Sequence, residues 1–336
     1  MDFYVGALTG EGGEGILSCR LTKDGIARVG AYSGTVDPNY LIWSSQNQRL
    51  YATGGDTEEG FHGSVSEFKV ENGQLRLVSR QKTDGDEPCF LSMDRDEKYL
   101  YCANYGTGSL CVLPIRPSLG AYVQLVRHTG KGPHPQRQEG PHTHQITFVP
   151  GTELMLAVDL GTDEIWLYRA DPAGGKLEFR AKCRLHGGPR HVAYGKTGFV
   201  YVAHELSSEV TALRMEGETL TPLQTLSTLP QGADAQNTAS AIRISGDGRR
   251  LYVSNRGHGS IAAFAIAEDG TLRALTHYPA GSYPRDFQLL PDGGFLVADQ
   301  WAGVRRLNSE GQETAFLPHR GAVCICIPEE TKDRRG

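Results

Sequence analysis

The sequence has no long apolar run, no excess of basic residues and no signal-like start. No segment approaches the roughly 20 apolar residues of a membrane-spanning helix, and the opening residues MDFYVGALTG lack the charged and apolar regions of a signal peptide. The 34 Lys and Arg residues are outnumbered by 39 Asp and Glu residues, so the basic surface that a nucleic-acid backbone requires is missing. These absences predict a cytoplasmic protein without a membrane or nucleic-acid partner.

The sequence also lacks a recognisable cysteine motif. The seven cysteines are scattered and odd in number, and the nearest pair is Cys324 and Cys326. Neither a disulfide framework nor the CxxC spacing of many metal sites is present. We expect most of these cysteines to be reduced and to fill the core.

Helical periodicity is the last notable absence. No window shows several turns of apolar residues at a spacing of 3.6, whereas short apolar stretches bounded by Gly, Asp, Asn or Pro are frequent. Glycine is abundant, with 42 residues. The pattern predicts an all-β protein.

One unit recurs along the chain: an apolar strand, a tight polar turn, an aromatic-containing strand, a Gly/Ser turn and another strand. Its clearest copy is SAIRISGDGRRLYVSNRGHGSIAAFAI, and the six copies lie at 39–55, 88–115, 143–170, 189–215, 240–266 and 284–307. The equivalent positions are Leu50, Leu100, Met155, Val200, Leu251 and Phe295, whose successive spacings are 50, 55, 45, 51 and 44 residues. This period fits about four short strands per unit, as in propeller blades.

The two ends of the chain supply one further unit between them. Residues 3–21 resemble the middle of a unit without its first strand, and GAVCICIP (321–328) resembles a first strand without the rest. Pairing the ends would close a ring and remove its free sheet edges. We therefore predict a single seven-bladed β-propeller domain of four-stranded blades over residues 1–336, with 331–336 as a disordered tail. A pair of β-sandwiches is the alternative.

Positions where the repeats differ are candidates for function, because the first strand of each blade lies nearest the central channel. At the start of that strand the units carry Asn39, Cys89, His144, Arg190, Ser240 and Arg285. Just beyond the second strand's aromatic segment they carry Asn104, Asp159, His204, Asn255 and Asp299, followed by Tyr105, Leu160, Glu205, Arg256 and Gln300. We expect the polar members of both sets to converge on the channel.

Several of these residues have a structural explanation as well. Short polar side chains at strand ends satisfy backbone groups in turns. The positions concerned are Asn104, Asp159, Asn255 and Asp299. For His191 and His204, a structural hydrogen bond is an equal alternative to a functional role.

The arginines are harder to explain by structure alone. Three guanidinium groups around one axis repel each other unless they meet an anion or a carboxylate. The three are Arg190, Arg256 and Arg285. An ion pair with Glu205 or Asp286 is the structural alternative to an anionic ligand.

Three other kinds of site are disfavoured. His142 and His144 in GPHTHQ, with Asp159, could supply metal ligands, but a spacing of two residues is a weak signal, and we expect no metal. No GxSxG motif indicates a serine nucleophile. GEGGEG (10–15) lies in a turn between strands and opens no helix, so it does not predict a nucleotide site.

The sequence resembles the lactonase-type seven-bladed propellers, the family of bacterial propeller 6-phosphogluconolactonases and fungal carboxy-cis,cis-muconate cyclases. The resemblance covers essentially the whole chain and depends on the order and spacing of several motifs. These are GPHTHQ (140–145), VDLGTDEIWLY (158–168), GGPRHVAY (187–194), AHELSSEV (203–210), YVSNRGHGSI (252–261) and YPRDFQL (283–289).

The resemblance implies an active-site set and an activity. The family's His, Arg, Glu and Arg fall on His144, Arg190, Glu205 and Arg256. The implied reaction is hydrolysis of 6-phospho-D-glucono-1,5-lactone in the pentose phosphate pathway, with no cofactor. Where relatives commonly have an Asn-Glu pair, this chain has Gly54-Gly55, which predicts a missing contact at the channel mouth.

Lactone hydrolysis needs a base for the attacking water and positive charge for the oxyanion. We expect His144 to be the base, because the ordinary pKa of histidine suits neutral pH; Glu205 is the alternative base, or it orients an arginine. Arg190 and Arg256 would hold the phosphate and the oxyanion. The further expected substrate contacts are Arg285, His191, Asn104, Asp159 and Asn255.

Two other functions stay open on sequence alone. A lactonase or cycloisomerase of another small anionic lactone, such as carboxymuconolactone, would need the same groups. A propeller that binds a partner without catalysis is the third possibility, because a fold does not fix a function. The expected partner is a small anionic lactone, and the expected oligomeric state is a monomer or a weak dimer.

Overall fold

The computed structural model describes residues 1–56, 61–196, 198–233 and 236–328. Within these ranges the helical structure is a single 3₁₀ turn, Thr9–Glu11, and no helix is long and apolar enough to cross a membrane. The 28 strands of the described residues form seven antiparallel sheets of four. The predicted seven-bladed propeller is confirmed. The predicted disordered tail, 331–336, lies outside the described residues.

The strands are numbered along the chain, and the blades by the order of their first strands. The chain begins with β1 (Asp2–Ala7), β2 (Gly15–Thr22) and β3 (Gly25–Tyr32). Blade 1 contains β4 (Leu41–Ser44), β5 (Arg49–Asp56), β6 (Phe61–Glu71) and β7 (Gln74–Lys82). Blade 2 contains β8 (Pro88–Met93), β9 (Tyr99–Asn104), β10 (Ser109–Pro114) and β11 (Gln124–Arg127). Blade 3 contains β12 (Thr143–Phe148), β13 (Leu154–Asp159), β14 (Glu164–Ala170) and β15 (Leu177–Arg184).

The remaining blades repeat this order. Blade 4 contains β16 (Pro189–Tyr194), β17 (Phe199–His204), β18 (Glu209–Glu216) and β19 (Thr219–Ser227). Blade 5 contains β20 (Thr238–Ile244), β21 (Arg250–Arg256), β22 (Ser260–Ile266) and β23 (Leu272–Pro279). Blade 6 contains β24 (Pro284–Leu289), β25 (Phe295–Asp299), β26 (Gly303–Leu307) and β27 (Glu313–Pro318). The last strand is β28 (Ala322–Cys326).

The seventh blade combines the two ends of the chain. Its strand order is β28-β1-β2-β3, and β28 runs antiparallel to β1, with Tyr4 opposite Cys326 and Val5 opposite Ile325. The predicted closure of the ring is therefore confirmed. Backbone hydrogen bonds between the first and last strands join the two ends of the sequence.

The core lies between neighbouring blades. Between blades 4 and 5, Tyr201 and Val210 pack with Leu251 and Phe264, and similar apolar clusters fill the other interfaces. The seven cysteines are all free, and six of them are buried. The prediction that they fill the core is confirmed, except that Cys183 is only partly buried.

First strands of neighbouring blades contact one another around the centre, and several of them share a β-bulge. In β12, Thr143 faces Asp159 and Gln145 faces Val158, which leaves His144 as an extra residue. Cys89, Arg190 and Arg285 occupy the same place in β8, β16 and β24. An extra residue bends the strand and changes the direction of its side chain. The bulged residue is therefore the one at the start of the first strand, where the repeated units differ in sequence.

Candidate active site

A pocket of about 320 Å³ lies at the end of the channel where the first strands begin and the second strands end. A smaller cavity of about 20 Å³ adjoins it and includes Arg190 and His191 in its lining. A larger groove of about 850 Å³ lies at the strand turns of blades 4 and 5, away from these groups. Seven residues of the two aligned sets line the main pocket: Asn39, Cys89, Tyr105, His144, Glu205, Arg256 and Arg285.

Glu205, directly after β17, is the centre of the site's charge network. One oxygen, Oε2, lies 2.9 Å from Nε of Arg190 and 2.7 Å from Nη2 of Arg256. The other, Oε1, lies 2.5 Å from Nη2 of Arg137. Burial opposes the charge of Glu205, but Arg256 and Arg190 outweigh it, so the pKa of this carboxyl lies well below its ordinary value. Glu205 is therefore a fixed carboxylate that orients three guanidinium groups.

Arg285 has a different environment from these three arginines. Its Nη1 donates to Oε1 of Gln300 at 3.1 Å, and its Nη2 donates to Oδ1 of Asn39 at 3.1 Å. Among the described residues, no carboxylate forms an ion pair with it. Burial, and then repulsion from Arg256, lowers the pKa of Arg285. This guanidinium is held in place by neutral amides and remains available to an anion.

His144 is a buried, uncharged imidazole at the pocket wall. Its ring meets His191 edge-on at 5.0 Å, and its Nδ1 lies 3.8 Å from Sγ of Cys89. Burial, and then the charge of Arg190, lowers the pKa of His144 well below its ordinary value. The neutral form can accept a proton at neutral pH. Burial also raises the pKa of Cys89 to about 12, so this residue stays a thiol.

His191 lies beside the pocket floor. Nη1 of Arg190 is 3.2 Å from its Nδ1 and 3.3 Å from its Nε2. Burial, and then Arg190, lowers the pKa of His191 well below its ordinary value. Its ring contacts Arg190 and His144, but it does not line the main pocket.

Three predicted substrate contacts are instead held in turns. Asn104 donates to Oγ of Ser109 at 3.1 Å. Asp159 accepts the backbone N–H groups of residues 142 and 162 at 2.9 and 3.0 Å, and Asn255 bonds both the hydroxyl and the carbonyl of Thr228. All three are fully buried and none lines the pocket. These residues therefore have the turn-forming role that was their structural alternative. Asp299 has it too, because it accepts the backbone N–H groups of residues 282 and 283.

Two more members of the aligned sets lie outside the pocket. Nε2 of His204 is 2.7 Å from Oγ1 of Thr211, and burial lowers the pKa of His204 to about 4. Ser240 donates its hydroxyl to the backbone carbonyl of Arg285 at 2.6 Å. His204 therefore has the structural hydrogen bond that was its alternative, and Ser240 supports the bulge of Arg285.

The three candidate metal ligands are engaged separately. Nδ1 of His142 lies 3.0 Å from the backbone oxygen of Tyr105, His144 faces the channel, and Oδ2 of Asp159 lies 2.6 Å from Nδ1 of His128. Over the ranges that the structure describes, no group of three His, Cys, Asp or Glu side chains is arranged to hold a metal ion.

Close approach of another segment explains the Gly54-Gly55 pair. A Cβ on Gly54 would lie 2.5 Å from Cγ2 of Thr35 and 2.7 Å from the carbonyl oxygen of Val36. The backbone of Gly55 pairs with Val36. The 35–36 segment therefore covers the end of β5 and leaves no room for a side chain at position 54.

Sequence reasoning did not identify Arg137. It lies in the segment between β11 and β12, and Nη2 donates to Oη of Tyr105 at 3.1 Å as well as to Glu205. The segment lies outside the repeated unit, so comparison of the repeats could not align this residue. The charge balance gave no signal either, because Arg190, Arg256 and Arg285 already outnumbered Glu205 at the channel.

Fold and site together define a class: a seven-bladed β-propeller whose channel holds a neutral histidine beside an arginine-bound carboxylate. The chain belongs to the family described as "Lactonase, 7-bladed beta-propeller", whose model matches residues 2–303. The 6-phosphogluconolactonase of Bacillus subtilis (strain 168) is 36% identical over 328 residues, which cover 94% of this chain and 92% of that protein.

Solved structures agree with the family. The periplasmic gluconolactonase of Pseudomonas aeruginosa has a TM-score of 0.86 and 28% identity, with 96% of this chain and 98% of that one covered. A protein from Lactobacillus plantarum has a TM-score of 0.88 and 27% identity, with 97% and 99% covered. The resemblance noted in the sequence is confirmed.

Proposed function

We propose that this protein hydrolyses 6-phospho-D-glucono-1,5-lactone to 6-phosphogluconate in the channel pocket. The observation that carries the proposal is an excess of positive charge: Glu205 faces four arginines, and the other acidic residue of the pocket lining, Glu87, is exposed at its rim. The four are Arg137, Arg190, Arg256 and Arg285. A substrate with a phosphate and a developing oxyanion supplies the missing negative charge. Kinship with the Bacillus subtilis 6-phosphogluconolactonase supports this substrate.

The chemistry assigns His144 as the general base. Its neutral imidazole takes a proton from water as the water oxygen attacks the lactone carbonyl carbon. Arg285, which is held by two amide side chains, stabilises the oxyanion of the tetrahedral intermediate, and Arg256 on the neighbouring blade contributes further positive charge. The ester C–O bond then breaks, and the imidazolium returns the proton to the ring oxygen that leaves.

Glu205 has a supporting role in this mechanism. The pKa values of Glu205 and His144 are both lowered, so their contacts decide between them. Both oxygens of Glu205 already accept charged hydrogen bonds from three guanidinium groups, whereas Nδ1 of His144 lies 3.8 Å from the neutral thiol of Cys89. Glu205 instead fixes Arg256 at the wall of the main pocket and Arg190 at the wall of the small cavity beside it. The alternative of Glu205 as base is therefore less favourable than His144.

A second candidate substrate is an unphosphorylated aldonolactone. The likeness to the Pseudomonas aeruginosa gluconolactonase favours it, because a ring of this size without the phosphate needs the same base and oxyanion contacts. It leaves part of the arginine charge unmatched. We therefore place it second.

The test is release of acid from freshly prepared 6-phosphoglucono-δ-lactone and from glucono-δ-lactone, corrected for spontaneous hydrolysis, with and without a chelator. We expect rapid, chelator-insensitive turnover of the phosphorylated lactone, and a loss of about 100-fold or more in Arg256→Ala. Arg214→Ala, which alters an exposed pair with Glu216, is the matched control. No acceleration by folded wild-type protein would overturn the proposal.

The same proposal includes a monomer or weak dimer that works in the cytoplasm. Seven free cysteines suit a reducing compartment. Light scattering on the purified protein tests the oligomeric state, and a stable higher oligomer would contradict it.

A further inference from the structure

Arg137 differs from the other two arginines that bind Glu205. Its side chain is 37% exposed, whereas those of Arg190 and Arg256 are 4% and 7% exposed. It also lies on a loop, while Arg190 is on β16 and Arg256 ends β21. One of the three guanidinium groups around the carboxylate is therefore accessible from solvent.

The backbone around Arg137 is anchored although its side chain is exposed. His128, at the start of the loop, is buried, with Nδ1 2.6 Å from Oδ2 of Asp159 and Nε2 3.0 Å from Oη of Tyr168. Gln138, the next residue, donates to the backbone oxygen of Leu160 at 2.8 Å. Arg137 can therefore exchange side-chain partners while its loop stays in place.

The two ends of the pocket can be told apart by their lining. His144 and Arg285 line both the main pocket and the small cavity beside it, whereas Arg137 lines the main pocket alone. With the lactone carbonyl against His144, the phosphate on the opposite end of the substrate faces the accessible end of the pocket. Arg137 is the solvent-accessible cation that lies there.

Glu205 keeps charged partners if Arg137 leaves it. Arg137 bonds Oε1 of Glu205, while Arg190 and Arg256 both bond Oε2. If Arg137 turns to a phosphate, two charged contacts to the carboxylate remain. A phosphate dianion offers a guanidinium stronger, bidentate hydrogen bonds than a single oxygen of a carboxylate whose other oxygen already binds two arginines.

We propose that Arg137 is the specificity-determining residue that binds the substrate's phosphate at the pocket entrance and so selects the phosphorylated lactone. The inference depends on the proposed function, because it takes the 6-phospholactone as the substrate. It adds a named residue, outside the repeated blade unit, that distinguishes a phosphorylated from an unphosphorylated ring.

The test compares kcat and KM for 6-phosphoglucono-δ-lactone and glucono-δ-lactone in wild type, Arg137→Gln and Arg137→Lys. We expect Arg137→Gln to lower kcat/KM for the phosphorylated lactone about 10- to 100-fold, mainly by raising KM. The same variant should lower kcat/KM for glucono-δ-lactone by less than about threefold. Arg137→Lys should recover part of the loss. Lys131→Gln removes an exposed charge from the same loop and controls for long-range attraction.

If the turnover of glucono-δ-lactone is too slow to measure, a binding measurement can replace the kinetic comparison. Calorimetry with 6-phosphogluconate should show affinity falling in Arg137→Gln by the same factor, while gluconate binding stays unchanged. Equal losses for phosphorylated and unphosphorylated ligands would overturn the inference, since they would mean that Arg137 only positions Glu205. Wild type without activity on the 6-phospholactone would instead overturn the proposed function itself.

Discussion

At the scale of single residues, the site depends on a carboxylate that no longer behaves as an acid or base. Glu205 is buried and bonds three arginines, so removing its charge leaves guanidinium groups close together in a poorly solvated place. Breaking a buried ion pair in this way is strongly destabilising. The ion pair with Glu205, which was the structural alternative for Arg190 and Arg256, is therefore present, and their role toward a substrate stays a prediction.

Glu205→Gln tests this role directly. We expect the free energy of unfolding to fall by about 3–5 kcal/mol, measured by urea denaturation at pH 7. Glu216→Gln, at an exposed pair on β18, is the matched control and should leave the midpoint unchanged. A Glu205→Gln variant as stable as wild type would contradict the central place of this carboxylate.

Three buried histidines link stability to pH. Burial lowers the pKa values of His144 and His191 well below the ordinary value, and that of His204 to about 4. The unfolded chain, with histidine pKa values near 6.5, takes up protons that the folded state does not. Their contribution to stability is therefore complete above about pH 6.5 and is lost as the pH falls below it.

We expect the free energy of unfolding to decrease from pH 7 to pH 5, with a slope of up to about 1.4 kcal/mol per pH unit for each histidine. Urea denaturation at several pH values measures it. Stability that is constant or rises as the pH falls would show that these side chains accept protons in the folded state.

At the scale of elements, the bulged first strands explain why the repeats identified the pocket. Alignment of the units placed Cys89, His144, Arg190 and Arg285 at one position, and each is the extra residue of a bulge. A period-two pattern alone would give such a residue no special direction. The position was predictable from the sequence, but the bulge that directs it into the channel was not.

The second set of aligned positions was predictable only in part. The residues that end the second strands face the first strands across the ladder, so Asn104 and Asp159 lie behind the channel wall and hold turns. The residue that follows reaches the pocket, as Glu205 and Tyr105 do. Successive side chains point in opposite directions, so the last residue of the strand and the residue after it face opposite ways. The sequence does not show which of these two residues faces the channel.

The loop between β11 and β12 illustrates what comparison of repeats cannot find. The loop places Arg137 at the pocket, and His128 anchors the loop. The His128 ring stacks on Trp166 with centroids 4.1 Å apart and forms hydrogen bonds with Asp159 and Tyr168. These contacts join residues that are distant in sequence and occur once in the chain. The position of Arg137 in the pocket therefore could not be predicted from the repeats and is seen only in the folded structure.

His128→Phe tests whether this anchor positions Arg137. The change keeps an aromatic ring but removes the hydrogen bonds to Asp159, Tyr168 and Thr143. We therefore expect faster trypsin cleavage after Lys131 or Arg137 and about a tenfold lower kcat/KM for the phosphorylated lactone. Tyr122→Phe, which removes an exposed hydrogen bond to Asp84, is the control. Unchanged cleavage and activity would mean that the loop holds its place without His128.

At the scale of the whole molecule, the fold depends on the joining of its two ends. The period of the repeats, and the incomplete unit at each end, were enough to predict seven blades and their closure. The physical reason is that each blade buries its apolar faces against two neighbours, so a missing blade leaves two exposed faces. A ring of this kind has no end that can fray independently.

Deletion of residues 321–336 removes β28, the partner of β1. We expect loss of the cooperative melting transition of the entire protein, followed by circular dichroism. A shorter deletion after Pro328 keeps β28 and serves as the control. If the longer deletion melts like wild type, closure by the two ends is not what stabilises the ring.

The measurement that tests the central claim most directly is the turnover of 6-phosphoglucono-δ-lactone by His144→Ala. If a neutral His144 at the channel wall is the general base, kcat should fall by roughly two to four orders of magnitude, while the exposed His186→Ala control keeps wild-type activity. A His144→Ala enzyme with an unchanged kcat would contradict the assignment of the hydrolytic step to this residue.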